Sequence, residues 1–407
     1  MRTVHVRHPA VLLAGICTAL LLPERAAAQP EPPVVIGRQL ELFSEILNEN
    51  RPLFVRTPYG YESGDEHYPV LYLLDGNAHF HHTTGTADYL AYSGRTPELI
   101  IVAIRNTDRN RDLTPPSTQQ SDIEDYPTHG GADNFLRFIS DELMPWVNRQ
   151  YRTRSHSTLV GHSFGGLFAL HALVTRPDVF DAYIAISPGL QWDDQRLVTQ
   201  AAKMFEDTPE LMADLYMTVG NEGGALLGGV RKLAGVLDEY APRGLRWAFR
   251  LMEEESHVSV ALRSTRQGLE AVFDGWNLHD VLATFDRGGL AAIDDHYTRS
   301  SARFGYDRAT PASAVLTLVF QLIQADRLEE AASVHLRDPE THPPSSIALA
   351  ELADAYADRN DRARARGYYT MALRANPGNE RASRKLLDMG VDVSALIPEF
   401  VIAPAAL

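Results

Sequence analysis

Short apolar segments alternate with segments of helical periodicity from about residue 34 to about residue 280. Several of the apolar segments are apolar on both faces, which is typical of strands covered by helices on both sides. Amphipathic segments such as 132–151 and 227–241 lie between them. This alternation predicts an α/β fold built on a doubly wound parallel sheet. The candidate strands are 69–75, 99–105, 157–162, 182–187, 215–220 and 247–253.

The strand pattern stops after Trp276, and the remaining sequence indicates helices only. Within 348–379, apolar and small residues fall at the spacing of a tetratricopeptide repeat, and 312–336 is similar to a degenerate copy. Because a lone repeat is rarely stable, we expect two helical hairpins packed on the α/β domain. Such hairpins offer a surface for a protein partner. The repeat positions are Leu349, Leu352, Ala353, Tyr356, Ala365, Tyr369, Ala372 and Pro377.

The N-terminus has the layout of a secretory signal peptide. A basic start precedes an apolar run at 10–22, and small residues at 26–28 suit cleavage after Ala28. We therefore expect a periplasmic or secreted protein. The single cysteine, Cys17, lies within this leader, so the mature chain is expected to have neither disulfides nor thiolate metal ligands.

The formal net charge of −15 argues against binding to nucleic acid or to an anionic membrane surface. Outside the leader no apolar run is long enough to span a bilayer, so we expect no stable membrane insertion. The loop histidines His79, His81 and His82 lack a partner pair at zinc spacing. We expect neither a metal nor a cofactor.

The segment GHSFGG at 161–166 contains the pattern G-x-S-x-G, formed by Gly161, Ser163 and Gly165. It stands between an apolar strand and a helical segment, where such a turn projects the serine hydroxyl above the sheet. A glycine-rich structural bend is the alternative. The context favours Ser163 as a nucleophile.

A serine nucleophile needs a base and an acid, expected downstream in the order serine, acid, histidine. His257 directly follows the strand at 247–253, which makes it the candidate base. Glu222 follows the strand at 215–220 and is the candidate acid that orients His257. The carboxylates that compete with it are Glu253, Glu254 and Glu255.

The oxyanion hole should combine two backbone N–H groups. One is that of Phe164, directly after the nucleophile. The second is expected from Gly76 or Asn77, in the loop after an early strand.

Five segments together resemble the putative-esterase family of α/β-hydrolases, which groups esterase D-like, feruloyl-esterase-like and siderophore (enterochelin) esterase-like enzymes. They are YPVLYLLDGNAHF, IIVAIRNTDRNRDLTP, LVGHSFGGLFALHAL, AISPGLQWDD and EEESHVSV. The resemblance covers about 34–280 and implies a carboxylic-ester hydrolase with Ser163 as nucleophile and His257 as base. The family's acid is an Asp or Glu after the penultimate strand, and some members work with a Ser-His dyad.

The run from Arg109 to Leu113 resembles the R-x-R-[DE]-L segment of the siderophore-esterase branch. Arg109 and Arg111 are therefore candidates for substrate binding, together with His79 and Trp192. The alternative is that the arginines belong to a solvated loop and form salt bridges with Asp108 and Asp112. The expected substrate is a small-molecule, glycan or siderophore ester.

We expect a signal peptide at 1–28, an α/β-hydrolase esterase domain at 29–283, a linker helix at 284–311, repeats at 312–390 and a tail at 391–407. The leading hypothesis is an esterase that works through an acyl-enzyme. Two alternatives stay open: an interaction protein that acts through its repeats, and an acyltransferase that uses the same three residues.

Overall fold

The computed structural model describes residues 33–337, 340, 342–394 and 396. The predicted signal peptide at 1–28, with Cys17, lies outside the described residues, as do 395 and 397–407 of the predicted tail. From Ile36 onward the described residues form one compact unit.

A mostly parallel sheet is the centre of the fold, in the strand order β1-β2-β4-β3-β5-β6-β7-β8. β1 pairs with β2 and β2 with β4 in antiparallel fashion, whereas every other pairing is parallel. The predicted α/β class is therefore confirmed. The strands are β1 Arg38–Ser44, β2 Glu49–Arg56, β3 Tyr68–Leu73, β4 Ile100–Ile104, β5 Thr153–His162, β6 Ala182–Ile186, β7 Glu210–Gly220 and β8 Arg243–Met252.

The two antiparallel strands, β1 and β2, were not among the predicted strands. In β2 buried residues such as Leu53 and Val55 alternate with half-exposed ones, and Pro52 interrupts the apolar pattern. A search for runs that are apolar on both faces passes over such strands, because only one of their faces is covered.

Helices cover both faces of the sheet. One face packs against α1 and α9, and the other packs against helices that include α6, α7 and α8. Ala132–Gln150 is continuous through a π-helical turn at Phe138–Leu143, close to the predicted 132–151. The helices of this part are α1 Gly76–Tyr92, α2 Arg109–Leu113, α3 Gln120–Asp125, α4 Ala132–Arg137, α5 Met144–Gln150, α6 Phe164–Thr175, α7 Arg196–Asp207, α8 Gly224–Tyr240 and α9 Val260–Val272.

The C-terminal part is helical, as predicted. Two hairpins, α11–α12 and α13–α14, share a core in which Tyr356 and Tyr369 are at most 1% exposed. The repeat assignment and the domain boundaries stay predictions. The helices are α10 Val281–Phe304, α11 Ala312–Gln324, α12 Leu328–His335, α13 Ser346–Asp358, α14 Arg362–Ala375 and α15 Glu380–Asp388, and α10 is broken at Gly288 and Gly289.

The end of α10 attaches to the sheet where the parallel strands begin. Phe304 packs its ring against Phe273 and His156, with centroids 5.7 and 5.3 Å away. Arg303 Nη2 lies 2.9 Å from the carboxylate of Asp214 in β7. Since β5 begins at Thr153 and ends at His162, this contact lies at the edge of the sheet opposite Ser163.

Candidate active site

Ser163 lies on the turn that joins β5 to α6. Its backbone has φ 61° and ψ −117°, a conformation that residues with a side chain rarely adopt. A methyl group on Gly161 would overlap the backbone of Gly165, and one on Gly166 would lie 2.9 Å from the carbonyl oxygen of Ile186. The glycines thus permit the tight turn that places Ser163 at the carboxyl edge of the sheet.

Glu222 and His257 meet at the same edge. The Nδ1–H of His257 donates to Oε2 of Glu222 over 2.6 Å, and Glu222 has a side chain that is 9% exposed. Oε1 of Glu222 accepts hydrogen bonds from the Ser187 hydroxyl at 2.5 Å and from the Gly220 N–H at 3.1 Å. The carboxylate is thereby fixed in place and directed at the imidazole.

Two of the competing carboxylates have other partners. Oε2 of Glu255 accepts from the Ser259 hydroxyl at 2.7 Å, and Glu254 lies 3.1 Å from Arg263. In the described part of the chain, no hydrogen bond joins the Ser163 hydroxyl to His257. The structure therefore pairs the predicted acid with the predicted base, and the contact between serine and base stays a prediction.

His162, directly before Ser163, contacts His257. Its Nε2 lies 2.7 Å from the carbonyl oxygen of His257, and the two rings are 4.7 Å apart. Burial, together with His257 and His79, lowers the pKa of His162 to about 4. His162 is therefore neutral near pH 7, and an Nε2–H can donate to that carbonyl.

His79, a candidate for substrate binding, lies in the first turn of α1 beside this pair. Its ring is 5.4 Å from that of His162, and its Nδ1 lies 3.0 Å from Nε2 of His82. Burial lowers the pKa of His79. A row of imidazoles thus runs from α1 to His257.

The predicted oxyanion donors lie at the N-termini of two helices. Phe164 is the first residue of α6, and Gly76 and Asn77 are the first two of α1. These helices follow β5 and β3, which are neighbours in the sheet. Within the described residues, none of these three N–H groups donates a hydrogen bond to another part of the chain, as is usual for the first N–H groups of a helix.

The two candidate arginines are both paired with carboxylates of the chain. Arg109 contacts Asp75 through Nε at 2.6 Å and through Nη2 at 2.9 Å. Arg111 contacts Glu49 and Asp112, each at 2.7 Å. Of the two, Arg109 is the one that reaches the turn at Ser163, because its Nη2 lies 3.3 Å from the carbonyl oxygen of His162.

Trp192 is buried beside the first residue of α6. Its ring meets those of Phe164 and Tyr126 with centroids 5.4 and 5.6 Å apart, and its Nε1–H donates to the carbonyl oxygen of Pro115 at 3.0 Å. Together these aromatic rings form an apolar wall next to Ser163.

Several residues of this edge were not predicted from the sequence: Asp75, Asn106, His162 and Ser187. Asp75 and Ser187 closely follow the buried strands β3 and β6. Polar residues after the carboxyl ends of parallel strands commonly line a binding crevice, so this position was a usable signal.

No group of three or more His, Cys, Asp or Glu side chains in the described ranges is placed to hold a metal ion. Among the described helices none is both long and apolar enough to cross a membrane.

Comparison with known proteins identifies the class. The model of the family described as "Putative esterase" matches residues 44–221. Ferri-bacillibactin esterase BesA of Bacillus subtilis is 31% identical over 251 residues, which cover 55% of this chain and 85% of that relative. Siderophore triacetylfusarinine C esterase of Aspergillus fumigatus is 32% identical over 261 residues, which cover 54% and 86%.

The solved structure of an IroE-like serine hydrolase from Shewanella oneidensis has a TM-score of 0.64 and 29% identity, and the match covers 73% of this chain and 97% of that one. The sheet, its helices and these relatives define an α/β-hydrolase. The chain belongs to the "Putative esterase" family and is a carboxylic-ester hydrolase.

Proposed function

We propose that the protein cleaves carboxylic esters through an acyl-enzyme, with Ser163 as nucleophile, His257 as base and Glu222 as the acid that orients it. The main support is the 2.6 Å contact between Glu222 and His257 at the edge where Ser163 lies. Hydrogen bonds between a serine and its base often form fully only when substrate binds.

In the first step the Ser163 Oγ attacks the ester carbonyl carbon and Nε2 of His257 takes the hydroxyl proton. The carbon–oxygen bond to the alcohol then breaks, and His257 returns the proton to the leaving alkoxide. In the second step His257 takes a proton from water, which attacks the acyl carbon. The bond from that carbon to the Ser163 Oγ then breaks, His257 returns the proton to Oγ, and the acid is released. Glu222 stabilises the imidazolium in both steps.

The negative charge on the carbonyl oxygen requires preorganised donors. Phe164 provides one N–H from the start of α6, and Gly76 or Asn77 provides a second from the start of α1. Because both donors are backbone groups at helix N-termini, the helix dipoles add to the stabilisation.

Replacement of the nucleophile tests this mechanism. We expect Ser163→Ala to lower kcat for p-nitrophenyl acetate by at least about 10³-fold while the thermal melt is retained. A fluorophosphonate should label the wild type at Ser163 and leave the variant unlabelled. Ser140→Ala, a change at a serine on the π-helical turn, is the matched control. Activity of Ser163→Ala near the wild-type level would refute the mechanism.

For the substrate we propose a siderophore ester, because two of the relatives named above are a ferri-bacillibactin esterase and a siderophore triacetylfusarinine C esterase, and each match covers 54–55% of this chain. The test compares hydrolysis of ferri-bacillibactin and triacetylfusarinine C with that of feruloylated and acetylated sugars, followed by mass spectrometry. A kcat/KM for both siderophores below that for the sugar esters would refute the assignment. Products linked to added alcohols would instead indicate acyl transfer.

The layout of residues 1–28 supports a further proposal, export to the periplasm or the medium. Fractionation of the native host followed by N-terminal sequencing tests it. A mature chain that begins at Gln29 is the expected result, and a cytoplasmic chain with an intact leader would contradict it.

The helical part supports a separate proposal, a protein partner bound to α11–α15. The end of α10, which precedes these helices, contacts the sheet at the edge opposite Ser163. Pull-down with Ser163→Ala as bait would detect such a partner, and capture that survives deletion of the C-terminal helices would contradict the proposal.

A further inference from the structure

Asp75 occupies the N-cap position of α1 but does not cap the helix. An aspartate at this position usually accepts a hydrogen bond from the second or third N–H of the helix. Here the Asp75 backbone is left-handed, with φ 53° and ψ 43°, and its side chain makes no cap hydrogen bond. The N–H groups of Ala78 and His79 bond to the backbone carbonyl oxygen of Asp75. Those of Gly76 and Asn77 lack the side-chain acceptor that this residue type normally supplies.

The carboxylate of Asp75 is instead bound by the segment that follows β4. Oδ1 accepts from Nδ2 of Asn106 and from Nε of Arg109, each at 2.6 Å, and Oδ2 accepts from Nη2 of Arg109 at 2.9 Å. Asp75 is 4% exposed. The side chain of Arg109 is 32% exposed. A bidentate guanidinium is nevertheless a strong and directional partner for a buried carboxylate.

Arg109 also contacts the turn of the nucleophile. Nη2 donates to the carbonyl oxygen of His162 at 3.3 Å, and the guanidinium lies 5.6 Å from the centroid of the Phe164 ring. A methyl group on Gly165 would lie 3.2 Å from Oδ2 of Asp75. The side chain of Arg109 thus joins the start of α1 to the start of α6. These two helix starts are the sources of the proposed oxyanion donors.

We propose that Arg109 is a positioning residue that holds the Asp75 carboxylate away from the N-terminus of α1, so that the N–H groups of Gly76 and Asn77 stay free for the oxyanion. This inference rests on the proposed acyl-enzyme mechanism. A carboxylate folded back onto those N–H groups would occupy the donors and repel the developing negative charge.

The alternative is that Arg109 binds the substrate directly. The two roles predict different kinetics. If Arg109 binds the substrate, its replacement should raise KM, most strongly for anionic esters. This effect should be the same whether Asp75 is present or replaced. A positioning role would lower kcat for a neutral ester, and the loss would depend on the carboxylate of Asp75.

The experiment is a double-mutant cycle on the full chain with p-nitrophenyl acetate. Arg109→Met should lower kcat by about 10²-fold, the effect of losing one oxyanion donor, with KM changed less than about threefold. Asp75→Gly in that background should restore kcat by at least about tenfold, because glycine adopts a left-handed backbone and has no side-chain carboxylate that could fold back onto α1.

A matched control is Arg56→Met. Arg56 pairs at 2.9 Å with Asp88, which lies on α1 but away from the N-terminus of that helix. The kcat of this control should stay within about twofold of wild type. If Arg109→Met fails to fold, Arg109→Lys replaces it. Lysine keeps the charge but loses the bidentate contact, and Asp75→Gly should raise its kcat as well.

Retention of kcat within about threefold in the Arg109 variant, or the absence of any gain from Asp75→Gly, would overturn the inference. A change in KM alone would assign Arg109 to substrate binding and overturn it too. Ser163→Ala is measured in parallel. An active Ser163→Ala refutes the mechanism itself, whereas an inactive Ser163→Ala without rescue by Asp75→Gly refutes only the positioning role.

Discussion

His257 donates from Nδ1 to Oε2 of Glu222 over 2.6 Å, although the two residues are 35 positions apart in the chain. A proton on Nδ1 leaves Nε2 free to accept the proton of the nucleophile. The other oxygen of Glu222 is held by Ser187 and Gly220. One carboxylate therefore determines both the tautomer and the direction of the imidazole.

Glu222→Gln should lower kcat for p-nitrophenyl acetate by about 10³- to 10⁴-fold with little change in KM, because the amide stabilises no imidazolium and can favour the wrong tautomer. Glu255→Gln is the control, since Glu255 bonds to Ser259, and it should retain activity. Steady-state kinetics decides the point. A loss below about tenfold for Glu222→Gln would indicate a Ser-His dyad instead.

His162→Phe should lower kcat by about 10- to 100-fold and leave KM unchanged, because the ring stays beside His257 while the hydrogen bond to its carbonyl oxygen is lost. His162→Gln offers an N–H to the same carbonyl and should recover part of the loss. Kinetics and the rate of fluorophosphonate labelling measure the effect. Equal activities of the two variants would argue against the positioning role.

Below about pH 6.5, His82 should contribute to the loss of folding stability as the pH falls. Burial, with His79 and His81 nearby, lowers the pKa of His82 to about 4, below the ordinary value of 6.5. Between these values the unfolded chain binds the proton and the folded chain does not, so stability rises with pH and is lost as pH falls from 6.5 towards 4.

In the wild type, His82 takes up about one proton on unfolding between pH 6.5 and pH 4. His82→Phe removes this uptake, so Tm should decline less steeply over the same range. Thermal melts at half-unit steps of pH, monitored by circular dichroism, measure the slope. Parallel curves for the variant and the wild type would contradict the predicted linkage.

Phe304→Ala should reduce the free energy of unfolding by about 3 to 5 kcal/mol, because a ring that is 1% exposed leaves a cavity beside Phe273 and Trp276. Well below its Tm the variant should keep the wild-type KM, since this contact lies at the edge opposite Ser163. The exposed Leu387→Ala on α15 is the control for stability. A variant with wild-type Tm would contradict the anchoring role of Phe304.

Much of the edge that carries the site could be predicted from local pattern. The order of the strands places Ser163, Glu222 and His257 after β5, β7 and β8, and parallel strands bring their carboxyl ends to one edge. The hydrogen bond between Glu222 and His257 agrees with that expectation. The serine contact and the catalytic roles stay predictions, which the variants above test.

The arginines show where local pattern is insufficient. Arg109 and Arg111 stand two positions apart, yet one binds Asp75 after β3 and the other binds Glu49 in β2. These partners are distant in sequence, and the pairing depends on which strands are neighbours in the sheet. Likewise β1 and β2 lack a strong strand pattern, because antiparallel strands at an edge bury only alternate residues.

The sequence by itself determined the α/β class, the turn at Ser163, the candidate partners downstream of it and the helical C-terminal part, because these depend on periodicity and on glycines within a short segment. Only the tertiary structure decided where Asp75 directs its carboxylate, how His162 meets His257 and which edge of the sheet α10 contacts. Those relationships join residues from separate strands, and only packing brings such residues within hydrogen-bond distance.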